Sequence, residues 1–515
     1  MEKKDYIIGV DIGSSNVVMA VGARNEDGEV SILGVEIQPV TDCVKDGDIT
    51  NYLELGKAIK TAKSALEKEL NCSLQSAYAS FSGKSVYCVR YEDYVDINES
   101  VGYVTDNELR ELNARIQMAV PGGGDDIVDR ILLRYRIDDR QDVKNPIGAF
   151  GRKLSVTYLF VMAAKHQIDR VNKAMHYAEI KVCGLCVNPT LLPQVLLSDA
   201  EREEGVVIVD IGADLTDISI VRGGKLWYFS SLPIGASAIN NDLYEFLKIP
   251  RKEIEMLKRK HGAAIAEEVE SDKSVPVKMA GHAKKQILLR NIAEISEERM
   301  RDIARFVLRE IKATMFLTKV PCGVVLTGGS VFLENIHRLF AEELQMEVRY
   351  GKMLNGIDVE SQQKGSSFLQ AAVVGLLLYG AEHRVCEATP LSGGGTTEKV
   401  NPPAQPGVDK PEDTISPAGE KDVPEKESNP TPTSVEIVTP KPEKPKPEKP
   451  EDDDNNQEEK NQEDVVIEAK KTPEDEQKKH TENDDNKVAS EKKRGGWLSS
   501  FRNWLDEVFE SDDEL

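Results

Sequence analysis

Gly9-Val10-Asp11-Ile12-Gly13-Ser14-Ser15-Asn16, near the start of the chain, is echoed much later by Ile208-Val209-Asp210-Ile211-Gly212-Ala213-Asp214-Leu215-Thr216-Asp217. Each is a short apolar run ending in Asp-Ile-Gly and a turn, followed by a second apolar run, Val17 to Val21 and Ile218 to Val221. The pattern predicts a strand, a tight turn and a second strand, with the turn exposed at the hairpin tip. Glycine lets the main chain approach a phosphate, and hydroxyls and backbone N–H groups donate to its oxygens. Asp11 and Asp210 cannot donate to phosphate, so they suit a magnesium shell held through water. One Asp-x-Gly turn is commonplace. Two predict pseudo-equivalent halves gripping one nucleotide between them.

A third element strengthens the reading. Gly323-Val324-Val325-Leu326-Thr327-Gly328-Gly329-Ser330 is an apolar run entering a double-glycine turn, with a helix expected over 331–339. Alone it would be an ordinary turn. In third place it resembles the adenosine motif of the superfamily that holds actin, seventy-kilodalton chaperones and sugar kinases.

At 515 residues the chain exceeds one domain. Seven scattered cysteines and no signal peptide at Met1-Glu2-Lys3-Lys4-Asp5 point to a reducing cytoplasm. Cys183-Gly184-Leu185-Cys186 has metal or redox spacing but no second pair, so a structural role is expected. No apolar run reaches the roughly 18 residues that cross a bilayer. Of the formal charge of −23, the stretch from Cys386 to Leu515 carries 34 acidic and 18 basic residues. That balance argues against nucleic acid as a partner. No Phe, Tyr or Trp occurs between Glu387 and Gly496, where Pro, Glu, Lys, Asp and Asn dominate. Such a segment cannot bury enough apolar surface to offset chain entropy, and it reads as a disordered acidic linker.

Hydrophobicity returns at the end of the chain. Trp497, Leu498, Phe501, Trp504, Leu505, Val508 and Phe509 follow the spacing of one helix face, with Lys492-Lys493-Arg494 just before them. An amphipathic helix with aromatics and a basic flank on a long tether fits interfacial membrane binding. Docking on a protein surface is the alternative.

Between the first hairpin and a helix expected over 167–178 lies an insertion. It contains a strand at Ser85 to Arg90, a capping box at Thr105-Asp106-Asn107-Glu108, strands at Ile131 to Ile137 and Lys153 to Val161, and the turn Lys144-Asn145-Pro146-Ile147-Gly148. Together with Leu232-Pro233-Ile234-Gly235-Ala236-Ser237, and with Ile254-Glu255-Met256-Leu257-Lys258, it resembles the FtsA family of bacterial cell-division proteins over about residues 5–380. The terminal helix extends the resemblance. It implies an α/β, actin-like two-lobed fold with the FtsA-type 1C insertion, a disordered tail and a C-terminal amphipathic helix. Subdomain 1A would comprise 1–84, 166–204 and 353–385, and 1C would be 85–165. Subdomain 2A would comprise 205–239 and 320–352, with 2B at 240–319. The linker would be 386–494 and the membrane-targeting helix 495–515.

The resemblance also implies ATP with Mg2+ in the cleft between the lobes. It places Asp11, Gly13, Ser14, Ser15 and Asn16 at the first phosphate turn. Asp210, Gly212, Ala213 and Thr216 fall at the second, Gly328, Gly329 and Ser330 by the adenosine, and Glu255 and Lys258 by the ribose and base. The metal would sit near Asp11 and Asp210 through water. The implied partners are the FtsZ C-terminal peptide at Arg299 and Asp302, further copies of the chain in filaments, membrane lipid, and later divisome proteins. The implied place is the cytoplasmic face of the cell membrane at the division site. The catalytic residues are not readable. Asp214 stands where relatives often have glycine, and Asn188 stands where hydrolysing relatives have an acid or glutamine. An amide orients water but is no general base, so slow or absent hydrolysis is expected. A pilus-assembly relative would share the insertion, and a sugar kinase would share the three motifs but has no use for the tail.

Overall fold

The computed structural model describes residues 6–390, apart from 27, 121–123, 140, 280–283, 315, 354–369, 384–385 and 387. Nearly all of the expected acidic linker, and the whole expected helix with Trp497 to Phe509, lie outside the described residues.

Both hairpins form, and they are built alike. Tyr6–Ile12 and Asn16–Arg24 pair antiparallel with Ile12 opposite Val17. The Gly13 N–H closes the turn on the Asn16 carbonyl at 3.0 Å. Val206–Ile211 and Thr216–Arg222 pair with Ile211 opposite Thr216, and the Gly212 N–H closes on the Leu215 carbonyl at 2.8 Å. Register makes Gly13 equivalent to Gly212, Ser14 to Ala213 and Ser15 to Asp214.

Each hairpin sits inside a five-stranded sheet, and the strand orders correspond. In the first sheet, Val30–Pro39, Asn16–Arg24 and Tyr6–Ile12 form an antiparallel meander, to which Ser76–Phe81 and then Lys181–Val187 add in parallel. In the second, Lys225–Leu232, Thr216–Arg222 and Val206–Ile211 form the meander, and Val324–Thr327 and Val348–Tyr350 add in parallel. Parallel neighbours need long crossovers, and those crossovers bring the helices that cover the sheet faces. The strands are accordingly apolar throughout: Ile7, Ile8, Val10, Ile12, Val17 and Val21 are all buried. Helix Ala371–Glu382 lies on the first sheet so closely that a side chain on Gly9 would start 3.0 Å from the Leu376 Cβ.

The insertion is a four-stranded sheet in the order Gln141–Val143, Asp126–Ile137, Lys153–Ala163, Val86–Asp96. It carries helix Asp106–Met118, whose Thr105–Glu108 capping box forms as expected. Val104, Leu112, Ile116, Leu154, Val156 and Phe160 give it a core of its own. It belongs to the first lobe by chain order, yet it packs on the edge strand Lys225–Leu232 of the second sheet. The Cys88 Sγ is 3.4 Å from the Phe229 carbonyl, and the Lys225 Nζ donates to the Leu133 carbonyl at 2.9 Å. The Arg134 guanidinium lies over the Trp227 ring.

The second lobe has its own helical addition: Ser237–Leu247, Arg251–His261, the hairpin Ser274–Lys278 with Lys284–Leu288, and the long helix Leu289–Ala313.

Two expectations need correcting. After the double-glycine turn there is a 3-10 turn, Gly329–Phe332, and the α-helix begins only at Ile336, because Asn335 takes a left-handed φ of 63° that breaks continuity. The linker does not begin at 386. The Cys386 N–H donates to the Tyr6 carbonyl, and Ala388–Pro390 pairs with Cys72–Leu74. Cys183 and Cys186 lie in the strand Lys181–Val187 and, like the other five cysteines, are free thiols.

Candidate nucleotide site

The two hairpin turns, the double-glycine turn and helix Arg251–His261 converge on a cleft of about 510 Å³. It is lined by Asp11, Gly13, Ser14, Ser15 and Asn16 from the first turn, and by Asp210, Gly212 and Ala213 from the second. Gly328, Gly329 and Ser330 line it from the third, and Glu255 and Lys258 from the helix. Thr216 is the exception. It pairs with Ile211 inside the ladder rather than in the turn, is fully buried, and donates its hydroxyl to the Ile234 carbonyl at 2.8 Å. Asp214 is likewise not among the residues that line the cleft. Ser330 donates to the Gly212 carbonyl at 2.9 Å, tying the third turn to the second.

Sequence reasoning missed Asp217, Ser82, Leu215, Arg259, Phe332 and Leu333, which also line the cleft. Asp217 had a readable signal: it is the one acid in the strand Thr216–Arg222, directly opposite Asp210.

The floor is acidic. Ser80 donates to Asp11 at 2.8 Å, and Ser231 to Asp217 at 2.5 Å. Burial pushes the Asp11 carboxyl up to about 6, opposed by hydrogen bonds from Ser80 and Asn188. Burial, then the charges of Asp217 and Asp11, push Asp210 up to about 8. Asp217 is raised as well, again by burial first. No cluster of acids, histidines or cysteines among the described residues is close enough to grip an ion directly. Carboxylates so placed fit a hydrated Mg2+ reached through its water shell. Asn188 lines the same floor with its Oδ1 buried and unpartnered, an acceptor suited to a water.

The wall is a charged cluster. Glu255 holds Lys258 at 2.8 Å, Arg259 at 2.8 Å and the Asn240 amide at 2.8 Å. Burial would raise the Glu255 carboxyl, but Lys258 above all, with the other hydrogen bonds, holds it down at about 2. Lys258 is lowered by burial, against the pull of Glu255, and donates to the Ala236 carbonyl at 3.3 Å. A solvated surface pair does not describe this geometry.

The family model of cell division protein FtsA matches residues 207–372, and the model of the SHS2 domain inserted in FtsA matches residues 83–162. Along both stretches the chain resembles the FtsA family. It is 26% identical over 410 residues to cell division protein FtsA of Pseudomonas aeruginosa, covering 78% of this chain and 96% of that one. Against the Bacillus subtilis FtsA it is 26% identical, covering 68% and 79%. The PilM–PilN type IV pilus biogenesis complex superposes with a TM-score of 0.51 at 14% identity over 73% of this chain and 98% of that one, a likeness of fold alone. The actin-like fold expected for an FtsA relative is therefore the fold observed.

Within this actin-like fold, Arg299 and Asp302 are not the surface pair expected of them. Arg299 is 2% exposed, and its Nε and Nη2 donate to the Asp242 carboxylate at 2.7 and 3.0 Å. It joins helix Leu289–Ala313 to helix Ser237–Leu247. Asp302 is mostly buried beside it, with Arg299 at 3.9 Å and Arg305 at 3.7 Å. Helical spacing places residues on one face but does not say whether that face is outward.

The raised acids give a signed pH dependence. Each neutral carboxyl stabilises the fold below its unfolded pKa, and that contribution is lost as pH rises through about 6 for Asp11 and about 8 for Asp210. Nucleotide with Mg2+ favours the charged forms. The rise in melting temperature on adding MgATP should therefore be larger at pH 8.5 than at pH 5.5. A larger rise at pH 5.5 would contradict the placement of metal near these acids.

Proposed function

We propose that this chain binds ATP with Mg2+ in the cleft, holds FtsZ filaments against the cytoplasmic face of the cell membrane, and gathers later division proteins at that place. The observation that carries this reading is the convergence of both phosphate turns and the adenosine turn on one cleft, in a chain whose insertion matches the SHS2 domain inserted in FtsA. Bound nucleotide supplies a phosphate anchor spanning the two lobes. Ser14, Ser15 and the backbone of Gly13, Gly212 and Ala213 would hold the phosphates. Asp11 and Asp210 would orient the metal's waters, and Glu255, Lys258, Gly328, Gly329 and Ser330 would hold the nucleoside. Asn188 lacks the basicity to deprotonate a water, which supports nucleotide binding with slow turnover.

The FtsZ C-terminal peptide is assigned to the helical addition of the second lobe, residues 240–319. Arg299 and Asp302 support that surface from beneath, and self-association into filaments belongs to the same reading. The membrane contact is assigned to Trp497, Leu498, Phe501, Trp504, Leu505, Val508 and Phe509. Partial burial of several large side chains, at roughly 1.5–3 kcal/mol each when fully buried, outweighs repulsion from the acidic end of the segment. The deciding experiment is liposome co-sedimentation with purified FtsZ, using the full chain and a chain lacking 495–515. The full chain should carry FtsZ to the pellet, and the truncated chain should leave both in solution. Trp504→Glu should reproduce the truncation. If that variant still pellets with lipid, the segment serves a protein partner.

A further inference from the structure

Cys183 and Cys386 stand 203 residues apart in the chain, yet their Sγ atoms are 4.0 Å apart. Local structure aims each at the other. Strand Lys181–Val187 pairs Val182 with Ala77 and then Gly184 with Tyr78, so Cys183 is the residue that the register skips. A bulge of this kind re-aims the side chain it carries. Cys386 is held from the other side: its N–H donates to the Tyr6 carbonyl at 2.8 Å, and its Sγ accepts from the Ile8 N–H at 3.4 Å. Cys386 is buried, whereas Cys183 is only half-buried and open to a small solute. Cys186 sits in the regular ladder opposite Ser80, so the Cys-x-x-Cys spacing is not what brings the two sulfurs together. Two residues after Cys386, Ala388–Pro390 pairs with Cys72–Leu74, and the tail to Leu515 follows.

We propose that Cys183 and Cys386 are a reversible oxidation site, whose disulfide fastens the root of the C-terminal tail to the first sheet. The oxidant is hydrogen peroxide. It takes two electrons from the Cys183 thiol: an S–O bond forms as the O–O bond breaks, leaving a sulfenic acid and one water. The Cys386 sulfur then attacks the Cys183 sulfur. The S–O bond breaks as the S–S bond forms, the hydroxyl leaves with the Cys386 proton, and a second water is released. Two thiols and one peroxide thus give one disulfide and two waters, and thiol exchange with a dithiol reverses the step. A bond of about 2.0 Å is reached from the observed separation by side-chain rotation. Burial pushes the Cys386 thiol up to about 12, which leaves half-exposed Cys183 to be oxidised first and Cys386 to resolve it. Disulfides in reducing compartments are of this transient, sensing kind.

The test uses the full chain, treated with hydrogen peroxide without denaturant and then blocked with N-ethylmaleimide. Unreduced digestion and mass spectrometry should find a peptide pair joining Cys183 to Cys386, lighter by two hydrogens than its parts, and dithiothreitol should abolish it. The oxidised chain should melt several degrees higher, because the bond closes a long loop of the unfolded chain. Cleavage after Glu387 by a glutamate-specific protease should slow by about fivefold or more, since it needs the tail root to open. MgATP affinity should be unchanged, as neither cysteine lines the cleft. Cys183→Ser and Cys386→Ser should each lose the link and the melting shift, while Cys186→Ala should keep both. A link from Cys183 to Cys186, oxidation of Cys183 to a sulfinic acid with no link, or a link that forms only in denaturant would overturn the inference. Unchanged cleavage after Glu387 with the link in place would overturn the fastening of the tail root.

Discussion

Gly328→Ala should abolish measurable ATP binding, although the change adds a single methyl group. Gly328 has φ of +93°, and the new Cβ would lie 2.3 Å from the Asp210 Oδ1 and 2.5 Å from the Ile211 carbonyl. The backbone obstacle cannot rotate aside, and the carboxylate belongs to the metal floor. Backbone strain alone is on the order of 1–3 kcal/mol, or roughly ten- to a hundredfold in any equilibrium that needs the native turn. Gly212→Val is a contrasting probe. Its Cβ would meet only the Leu215 carbonyl, at 3.2 Å, so the hairpin should fold while the close approach of a phosphate is lost. Calorimetric titration with MgATP, beside circular dichroism of both variants, checks the pair. Wild-type ATP affinity in Gly328→Ala would remove the third turn from the site, and wild-type affinity in Gly212→Val would remove the second.

The second large effect is on stability. Arg299→Glu should cost about 3–5 kcal/mol, because it leaves Asp242 buried opposite a like charge. Burial already raises the Asp242 carboxyl, and the Arg299 guanidinium is what opposes that. FtsZ recruitment should fall in this variant through loss of the helical addition rather than loss of a contact. Denaturant titration would show it, and the exchange Arg299→Asp with Asp242→Arg should recover part of the loss. A variant as stable as the parent would mean that the pair adds nothing to the fold.

The two hairpins, the third turn and the capped insertion helix were legible because local chemistry dictates them: a short apolar run, a glycine turn, a Thr–Glu box. The correspondence of the two sheets followed from the recurrence of Asp-Ile-Gly. What escaped needs the third dimension. Asp217 joins the floor only because cross-strand register sets it opposite Asp210. Thr216 leaves the site for the same reason, one position earlier in the ladder. Arg299 reads as a surface charge until Asp242, on another helix, comes to meet it. The helix expected over 331–339 begins only at Ile336, because Asn335 takes a left-handed φ that the local pattern does not announce.

The insertion's seat on Lys225–Leu232 has a consequence for anyone trimming this protein. That strand ends the second sheet, and an uncovered sheet border is adhesive toward any extended chain that meets it. The insertion works there as a seal. Removing residues 85–165 would therefore do more than delete a module. It would uncover Phe229, now buried, and half-buried Trp227 along a fresh border, and the shortened chain should aggregate. Loss of function in such a deletion would then report stickiness as much as the absence of whatever the insertion binds.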